Sequence, residues 1–298
     1  MPKVSVIIPT YNRIESLCLA IKSVLAQTFQ DFEIIVVDDA SHDNTAEVVA
    51  RFKDERIRYI RHGTNKKISA SRNTGVLNSQ GRYIAFLDDD DEWLSEKLQL
   101  EVDLLENSPL KTGAVYTGFY KIDKVSGATV VQVPTKKGFI FNDMLTQNWL
   151  GTSTVLLKKE CFEKVGLFDE SINFGEDYDM WIRISKEFQF EYIEEPLVKY
   201  SASGNKISND YDKVIKGYEI LIDKYHKLFA RNRKSCSRFY LSLGVLYCYN
   251  KNPAKGRKAF LKAIQIYPLE IRHYFNFGLS LLGTNNFKRL KELKEALW

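Results

Sequence analysis

The sequence predicts an α/β fold, a mostly parallel sheet with helices on both faces, extended by an antiparallel segment and followed by an α-helical region. Three observations carry that expectation. Short β-branched runs alternate with helical patterns through the first hundred residues, and continuous apolar strands of this kind belong to sheets covered on both faces. From about Gly113 the spacing becomes hairpin-like, and from about residue 206 it is helical throughout.

Residues 4–8 read as a buried strand, and 15–27 as an amphipathic helix with Leu17, Ile21, Val24 and Leu25 on one side. Strands at 33–37, 57–60 and 83–87 then alternate with helices at 45–52, 69–78 and 96–106. In open sheets of this type the ligand site lies beyond the carboxyl ends of the strands. The unusual polar residues obey that rule: Thr10-Tyr11-Asn12 after the first strand, Asp38-Asp39 at the end of the second, and Asp88 to Asp91 after the fourth. Further on, 114–122 and 128–133 form a hairpin pattern, 152–157 a strand, 160–165 and 177–186 short helices, and 190–193 and 197–200 two strand-like runs. This half is expected to form the second wall of a cleft. The polar stretch 201–208 is the candidate linker, giving a domain over 1–205 and a helical region over 206–298.

The helical region contains a repeat. Tyr240, Leu243, Gly244 and Tyr247, followed by Gly256, Phe260, Ala263 and Pro268, resemble a tetratricopeptide unit over about 238–298. A shift of 34 residues reaches Tyr274, Phe277, Gly278 and Leu281. The glycine at each site is expected to let two helices pack closely. One and a half repeats is too few to stand alone, so the tail is expected to dock on the domain over 1–205, on a second subunit or on a membrane surface. The last helix, 287–298, sets Phe287, Leu290, Leu293 and Leu297 against Lys288, Arg289, Lys291 and Lys294, a pattern open to both interfacial and packed readings.

Net charge is +5, yet residues 1–204 carry 24 Lys/Arg against 31 Asp/Glu, whereas 205–298 carry 19 against 7. A tail so basic suits an anionic partner or surface, or a solvated face docked on an acidic domain. It lacks a nucleic-acid reading motif, so nucleic acid is not expected as a partner. Ordinary apolar (44%) and charged (27%) fractions exclude a disordered chain. No run approaches the roughly 18 apolar residues of a membrane span. The strand pattern begins at once after Met1, and the four cysteines are scattered with no C-x-x-C pair. A cytoplasmic protein, associated at most peripherally with the inner face of the plasma membrane, is therefore expected.

Asp88-Asp89-Asp90-Asp91 is the strongest chemical signal. Four adjacent carboxylates after a buried strand repel one another unless a cation or helix dipole offsets them. Hard oxygen donors there suit Mg²⁺ or Mn²⁺ shared with substrate phosphates; the alternative is a loop of helix-capping aspartates. Glu176-Asp177 opens an apolar helix, either as dipole-favoured caps or as a carboxylate base whose pKa its neighbour raises.

Together these segments resemble something specific. Val4 to Arg13 (VSVIIPTYNR), Val36-Val37-Asp38-Asp39-Ala40-Ser41, Ser71-Arg72-Asn73-x-Gly75, Phe86-Leu87 with the aspartate run and Trp93, Val165-Gly166-x-Phe168-Asp169-Glu170, and Gly175-Glu176-Asp177-x-Asp179-x-Trp181 recur in that order in the family 2 glycosyltransferases of GT-A (Rossmann-like) fold. The resemblance covers about residues 2–205. It implies a metal-dependent inverting transfer of a sugar from a UDP- or dTDP-sugar to a glycan or lipid-linked hydroxyl in surface polysaccharide synthesis. By similarity Asp177 is the base with Glu176 beside it. Pro9, Thr10, Tyr11, Arg13, Asp39, Arg72, Asp88 and Asp89 serve the nucleotide, Asp90 and Asp88 the metal (Mn²⁺ or Mg²⁺), and Trp181 the acceptor side. Asp39 would accept the imide N–H of uracil or thymine, Tyr11 would stack on the base, and Arg72 would approach the diphosphate. The histidine that many relatives carry after the base is replaced here by Tyr200-Ser201-Ala202, and the Q-x-x-R-W motif of processive synthases is missing. Single addition is therefore expected. The competing reading is an inactive scaffold of the same fold that recruits partners through its tail.

Overall fold

The computed structural model describes residues 1–123, 126–202 and 210–297. The chain divides into two compact units, one of Met1–Phe141, Trp149–Ser171 and Glu176–Gly204, the other of Asn142–Asn148, Ile172–Gly175 and the chain from Asn205 onward.

The first unit is built on one sheet. Strands β1 (Val4–Thr10), β2 (Phe32–Asp38), β3 (Ile57–Arg61) and β4 (Tyr83–Phe86) run parallel in the order β3-β2-β1-β4. Every residue of β1 and β2 is buried, which is why their sequences read as unbroken apolar runs rather than alternations. Helices α1 (Ile14–Leu25), α2 (Thr45–Ala50) and α3 (Lys67–Asn78) connect them. α3 buries small residues, among them Ser69, Ala70, Ser71 and Gly75. A β-carbon on Gly75 would lie 2.3 Å from Ile7 Cγ2, so the glycine sets how closely this helix approaches β1.

The sheet then continues. Strand β5 (Glu92–Trp93) and helix α4 (Lys97–Asn107) precede β6 (Thr112–Ile122), which forms the expected hairpin with β7 (Thr129–Gln132). The short helix α5 (Phe141–Met144) and a 3-10 turn (Thr152–Thr154) lead into β8 (Val155–Lys158). β8 pairs antiparallel with both β4 and β6 and so welds the two halves into one sheet. After α6 (Glu160–Val165) and α7 (Glu176–Glu187), the chain returns as β9 (Gln189–Ser201).

Three details differ from the expected pattern. The run 152–157 opens as a 3-10 turn, and its strand begins only at Val155. The runs 190–193 and 197–200 belong to one long strand that pairs parallel, not antiparallel, with β6. Its register shifts where Pro196 faces Gly118. A β-carbon on Gly118 would sit 2.6 Å from the Gln132 carbonyl oxygen. The irregularity thus tolerates a proline without ending the strand. β5 is only two residues long, too short for any periodicity to register. It pairs with Lys199 and Val198 of β9. The main core lies between the sheet and α1 and α4, with Ile8, Leu17, Val36, Trp93, Leu98, Val115, Leu156 and Val198 in one cluster.

From Asn205 onward, the described residues of the second unit form helices α8 (Tyr211–Lys224), α9 (His226–Arg231), α10 (Arg233–Tyr249), α11 (Pro253–Ile266), α12 (Ile271–Ser280) and α13 (Gly283–Leu297). α10 and α11 form the repeat's helix pair. A β-carbon on Gly244 would meet the Phe260 ring at 2.4 Å, and one on Gly256 would meet Cys248 Sγ at 2.6 Å. At Gly278, among the described residues, a β-carbon would meet nothing within 4 Å. Phe287 is fully buried against Phe260 and Tyr249, so α13 starts as a packed helix. The Leu293, Leu297, Lys291 and Lys294 side chains lie outside the described ones, as does most of the expected linker. Among the described residues no helix is long and apolar enough to cross a membrane.

Candidate active site

The carboxyl ends of β1, β2 and β4 converge. At β2, Asp38 is buried and accepts from the Ser41 amide at 2.8 Å and from the Tyr59 hydroxyl. This holds the turn in which Ala40 takes a left-handed φ of 66°, a costly conformation for a residue with a β-carbon. Asn12, also left-handed at φ 54°, accepts from the His42 amide at 2.7 Å. Beside them Tyr11 is 40% exposed, edge-on to His42, with a ring face open for stacking.

Asp39 lies just beyond. Its Oδ1 faces His62 Nδ1 at 2.8 Å and accepts from the Lys66 amide at 2.7 Å, and its Oδ2 accepts from the Lys67 amide at 2.8 Å. His62 is in turn within 2.9 Å of the Thr74 hydroxyl. A carboxylate offers about four acceptor positions. Three protein contacts therefore fix its plane and leave capacity for one more donor.

The aspartate run resolves into four different environments. Asp89 is enclosed, accepting from Thr10 Oγ1 at 2.8 Å and from Arg13 Nη1 at 3.0 Å. Burial pushes its carboxyl up to about 6 against the pull of Arg13. Asp91 is also enclosed; its Oδ2 accepts from Ser153 Oγ at 2.7 Å and its Oδ1 from the Ser201 amide at 3.0 Å. Asp88 and Asp90 keep 30% and 18% of their side chains accessible. Arg13 lies 3.4 Å from Asp90. The run therefore alternates, with Asp89 and Asp91 bracing the loop and Asp88 and Asp90 presented outward. Two accessible hard-oxygen donors, short of an all-protein cage, match a divalent ion shared with phosphates.

Arg72, on α3, is 3% exposed. It donates to Asp88 Oδ1 at 2.8 Å and to Glu176 Oε1 at 2.6 Å, with its guanidinium over the Phe168 ring. Burial opposes its charge, but the surrounding carboxylates outweigh that and raise its pKa. Gly175, at φ 81°, turns the chain into α7. The helix's first two residues, Glu176 and Asp177, then stand side by side. Asp177 is half-buried and Thr152 Oγ1 donates to its Oδ2 at 3.4 Å. Removal from water, together with the Glu176 charge, pushes its carboxyl up to about 7 although Arg72 pulls it down. Such a group changes protonation near neutrality, as a general base must.

With this geometry in view, the comparisons with known proteins are decisive about kinship. The glycosyl transferase family 2 model matches residues 5–162, more than half of the chain. The chain belongs to that family. It is 30% identical over 231 residues to the UDP-Glc:alpha-D-GlcNAc-diphosphoundecaprenol beta-1,3-glucosyltransferase WfgD of Escherichia coli, covering 76% of this chain and 88% of WfgD. It is 37% identical over 205 residues to an uncharacterized glycosyltransferase of Rickettsia conorii, covering 68% of this chain but only 33% of that protein. The chain thus spans about a third of that relative's length. The crystal structure of S. aureus TarS 1-349 in complex with UDP-GlcNAc shares the fold, at TM-score 0.65 and 16% identity over 99% of this chain and 92% of that one.

The sequence-predicted residues fall into two groups. Pro9, Thr10, Tyr11, Arg13 and Asp39 line the ends of β1 and β2, with Asp89 and Asp90 tied to them through Thr10 and Arg13, while Arg72 bridges Asp88 to Glu176, the neighbour of Asp177. Arg72, expected at a diphosphate, spends its described hydrogen bonds on two carboxylates instead. Trp181 is 0% exposed, a core placement that leaves its ring no surface for an acceptor. Asp179, also buried, holds Arg183 at 2.9 Å, and Arg183 donates to the Val165 and Leu167 carbonyls. Asn73 grips the next stretch by pairing with both backbone groups of Phe168. Several of the recurring motif residues are thus scaffolding for the site rather than contacts to a substrate.

Sequence reasoning missed His62, Ser153 and the individual role of Asp91. His62 carried a usable signal, because it follows β3 at the same carboxyl edge as the other site residues. Ser153 carried none. Its hydroxyl joins Asp91 to the Asp88 amide, and its carbonyl accepts from the Trp93 indole at 2.8 Å, relationships that only the folded sheet creates.

Proposed function

We propose that this protein is an inverting glycosyltransferase that moves a sugar from a UDP- or dTDP-sugar to a hydroxyl of a glycan or lipid-linked acceptor, with Asp177 as base. The observation that carries the reading is the Asp88–Arg72–Glu176 bridge, which joins the nucleotide end of the sheet to the helix start bearing Asp177. WfgD, whose name specifies a UDP-sugar donor and a diphosphoundecaprenol acceptor, supports the donor and acceptor classes. Synthesis of a surface polysaccharide at the inner face of the plasma membrane is the matching role.

Asp39, with one acceptor position left, takes the imide N–H of uracil or thymine, which cytosine lacks at its N3. Tyr11 stacks on the base, and Pro9, Thr10 and Arg13 frame it. Asp90, with Asp88, would hold Mn²⁺ or Mg²⁺, which supplies charge stabilisation for the departing diphosphate. Asp177 accepts the proton of the acceptor hydroxyl as its oxygen attacks the anomeric carbon from the face opposite the leaving group. Glu176, neutralised in part by Arg72, keeps that base near neutral pKa.

The test separates binding from chemistry. Asp177→Asn is expected to lower UDP-sugar turnover, by transfer or hydrolysis, by about 10²–10⁴-fold while leaving UDP affinity within a factor of about two. Retained turnover, or equal loss of affinity, contradicts the assignment.

A further inference from the structure

Thr152, Ser153 and Thr154 form the 3-10 turn that opens β8, and all three are buried, at 6%, 1% and 1% exposure. Consecutive polar residues inside a core require partners, and each hydroxyl finds one in a different direction. Thr154 Oγ1 closes the turn on the Gly151 carbonyl at 2.7 Å. Ser153 Oγ donates to Asp91 Oδ2 at 2.7 Å and accepts from the Asp88 amide at 3.1 Å. Thr152 Oγ1 donates to Asp177 Oδ2 at 3.4 Å. Neighbouring side chains of a 3-10 turn point about 120° apart. One short turn thereby touches both the strand-end aspartates and the start of α7.

The turn itself is fixed to the core. The Trp93 indole donates to the Ser153 carbonyl at 2.8 Å, and the Lys97 ammonium lies over that ring at 4.2 Å. β8, which follows the turn, is paired on both sides, by β4 and by β6. Ser153 uses its hydroxyl as donor and acceptor at once. It ties the backbone of Asp88 to the carboxylate of Asp91, and this tie sets the direction in which Asp88 and Asp90 are presented. Thr152 places a neutral donor beside Asp177 and brings no further charge to a site already crowded with carboxylates. Resting on the function proposed above, we infer that Thr152 and Ser153 are positioning residues for the transfer reaction. Ser153 preorganises Asp88 and Asp90 for a divalent ion, and Thr152 orients the Asp177 carboxylate toward the acceptor hydroxyl.

Two readouts on the full chain separate these roles. One is the Mn²⁺ concentration that gives half-maximal UDP binding, by calorimetry; the other is the pair kcat and KM for UDP-sugar turnover. Ser153→Ala is expected to raise the Mn²⁺ midpoint about tenfold, with UDP affinity at saturating Mn²⁺ within a factor of about two of wild type. Thr152→Val keeps the shape and loses the hydroxyl. It is expected to lower kcat about tenfold with the Mn²⁺ midpoint and KM unchanged, and Thr152→Ser, which restores the hydroxyl, to recover most of that loss. A turn that only supports the fold moves both readouts together in Ser153→Ala and in Thr152→Val, and that result overturns the proposal. Variants equal to wild type overturn it too, as does a Thr152→Ser enzyme no better than Thr152→Val. Wild type and Asp177→Asn are measured alongside. A wild type without Mn²⁺-dependent UDP binding, or an Asp177→Asn enzyme with full turnover, refutes the proposed function and the positioning roles with it; failure confined to the turn variants refutes the positioning roles alone.

Discussion

Arg72 and Glu176, 104 residues apart in sequence, meet at 2.6 Å in a site where the arginine is almost wholly enclosed. Through its other nitrogen the same guanidinium reaches Asp88. One planar cation therefore fixes the distance between the strand-end carboxylates and the helix that bears Asp177. The fork geometry of arginine suits this task and the flexible ammonium of lysine does not.

Arg72→Met is accordingly expected to destabilise the protein by about 3 kcal/mol, because it removes the cation shared by buried Glu176 and by Asp88. Urea unfolding measures it. Arg72→Lys recovers only part of the loss, since one ammonium cannot reproduce both in-plane contacts.

The raised pKa of Asp177 sets the pH response. A base with pKa about 7 is ionised above that pH and protonated below it. kcat/KM should therefore fall about tenfold per unit on the acid side of pH 7. Glu176→Gln removes the adjacent negative charge, so the acid limb should move to lower pH, read from the rate profile of the variant against wild type. An unmoved limb would assign it to another group.

Asp39→Asn keeps the shape of the side chain and replaces one acceptor oxygen with a donor. Loss of a hydrogen bond to a charged partner, about 1.5–3 kcal/mol, predicts UDP binding weakened roughly 10–150-fold. His62→Ala should weaken it less, since His62 contacts the carboxylate and not the base. Isothermal titration of both variants distinguishes the contact from its support.

Gly75→Ala tests the close approach of α3 to β1. The added methyl would sit 2.3 Å from Ile7 Cγ2, and overpacking of this kind costs about 1–3 kcal/mol. Thermal unfolding should show the loss. An unchanged melting temperature would mean that Ile7 adapts freely.

Much of this was legible in the sequence because burial on both faces leaves a direct record in composition. β1 and β2 are fully buried and read as strands at sight, and the polar residues that end them stood out for that reason. Asp88 to Asp91 announced a site in the same way. What the run could not disclose was its division of labour, because Asp89 and Asp91 are assigned by partners 62 or more residues away in Arg13, Thr10, Ser153 and Ser201. Trp181 was ambiguous for a related reason: an aromatic in the second turn of an amphipathic helix looks the same in sequence whether it faces a cleft or the core. The repeat in the tail was readable by register, and its close helix packing is seen at Gly244 and Gly256.

The measurement that tests the account most directly is calorimetric titration of the full chain with UDP, dTDP, GDP and CDP, each with Mn²⁺ and again with EDTA. The account predicts binding of UDP or dTDP that depends on the metal, with GDP and CDP weak under both conditions. Binding of none of the four, or equal binding of all with EDTA present, would contradict it.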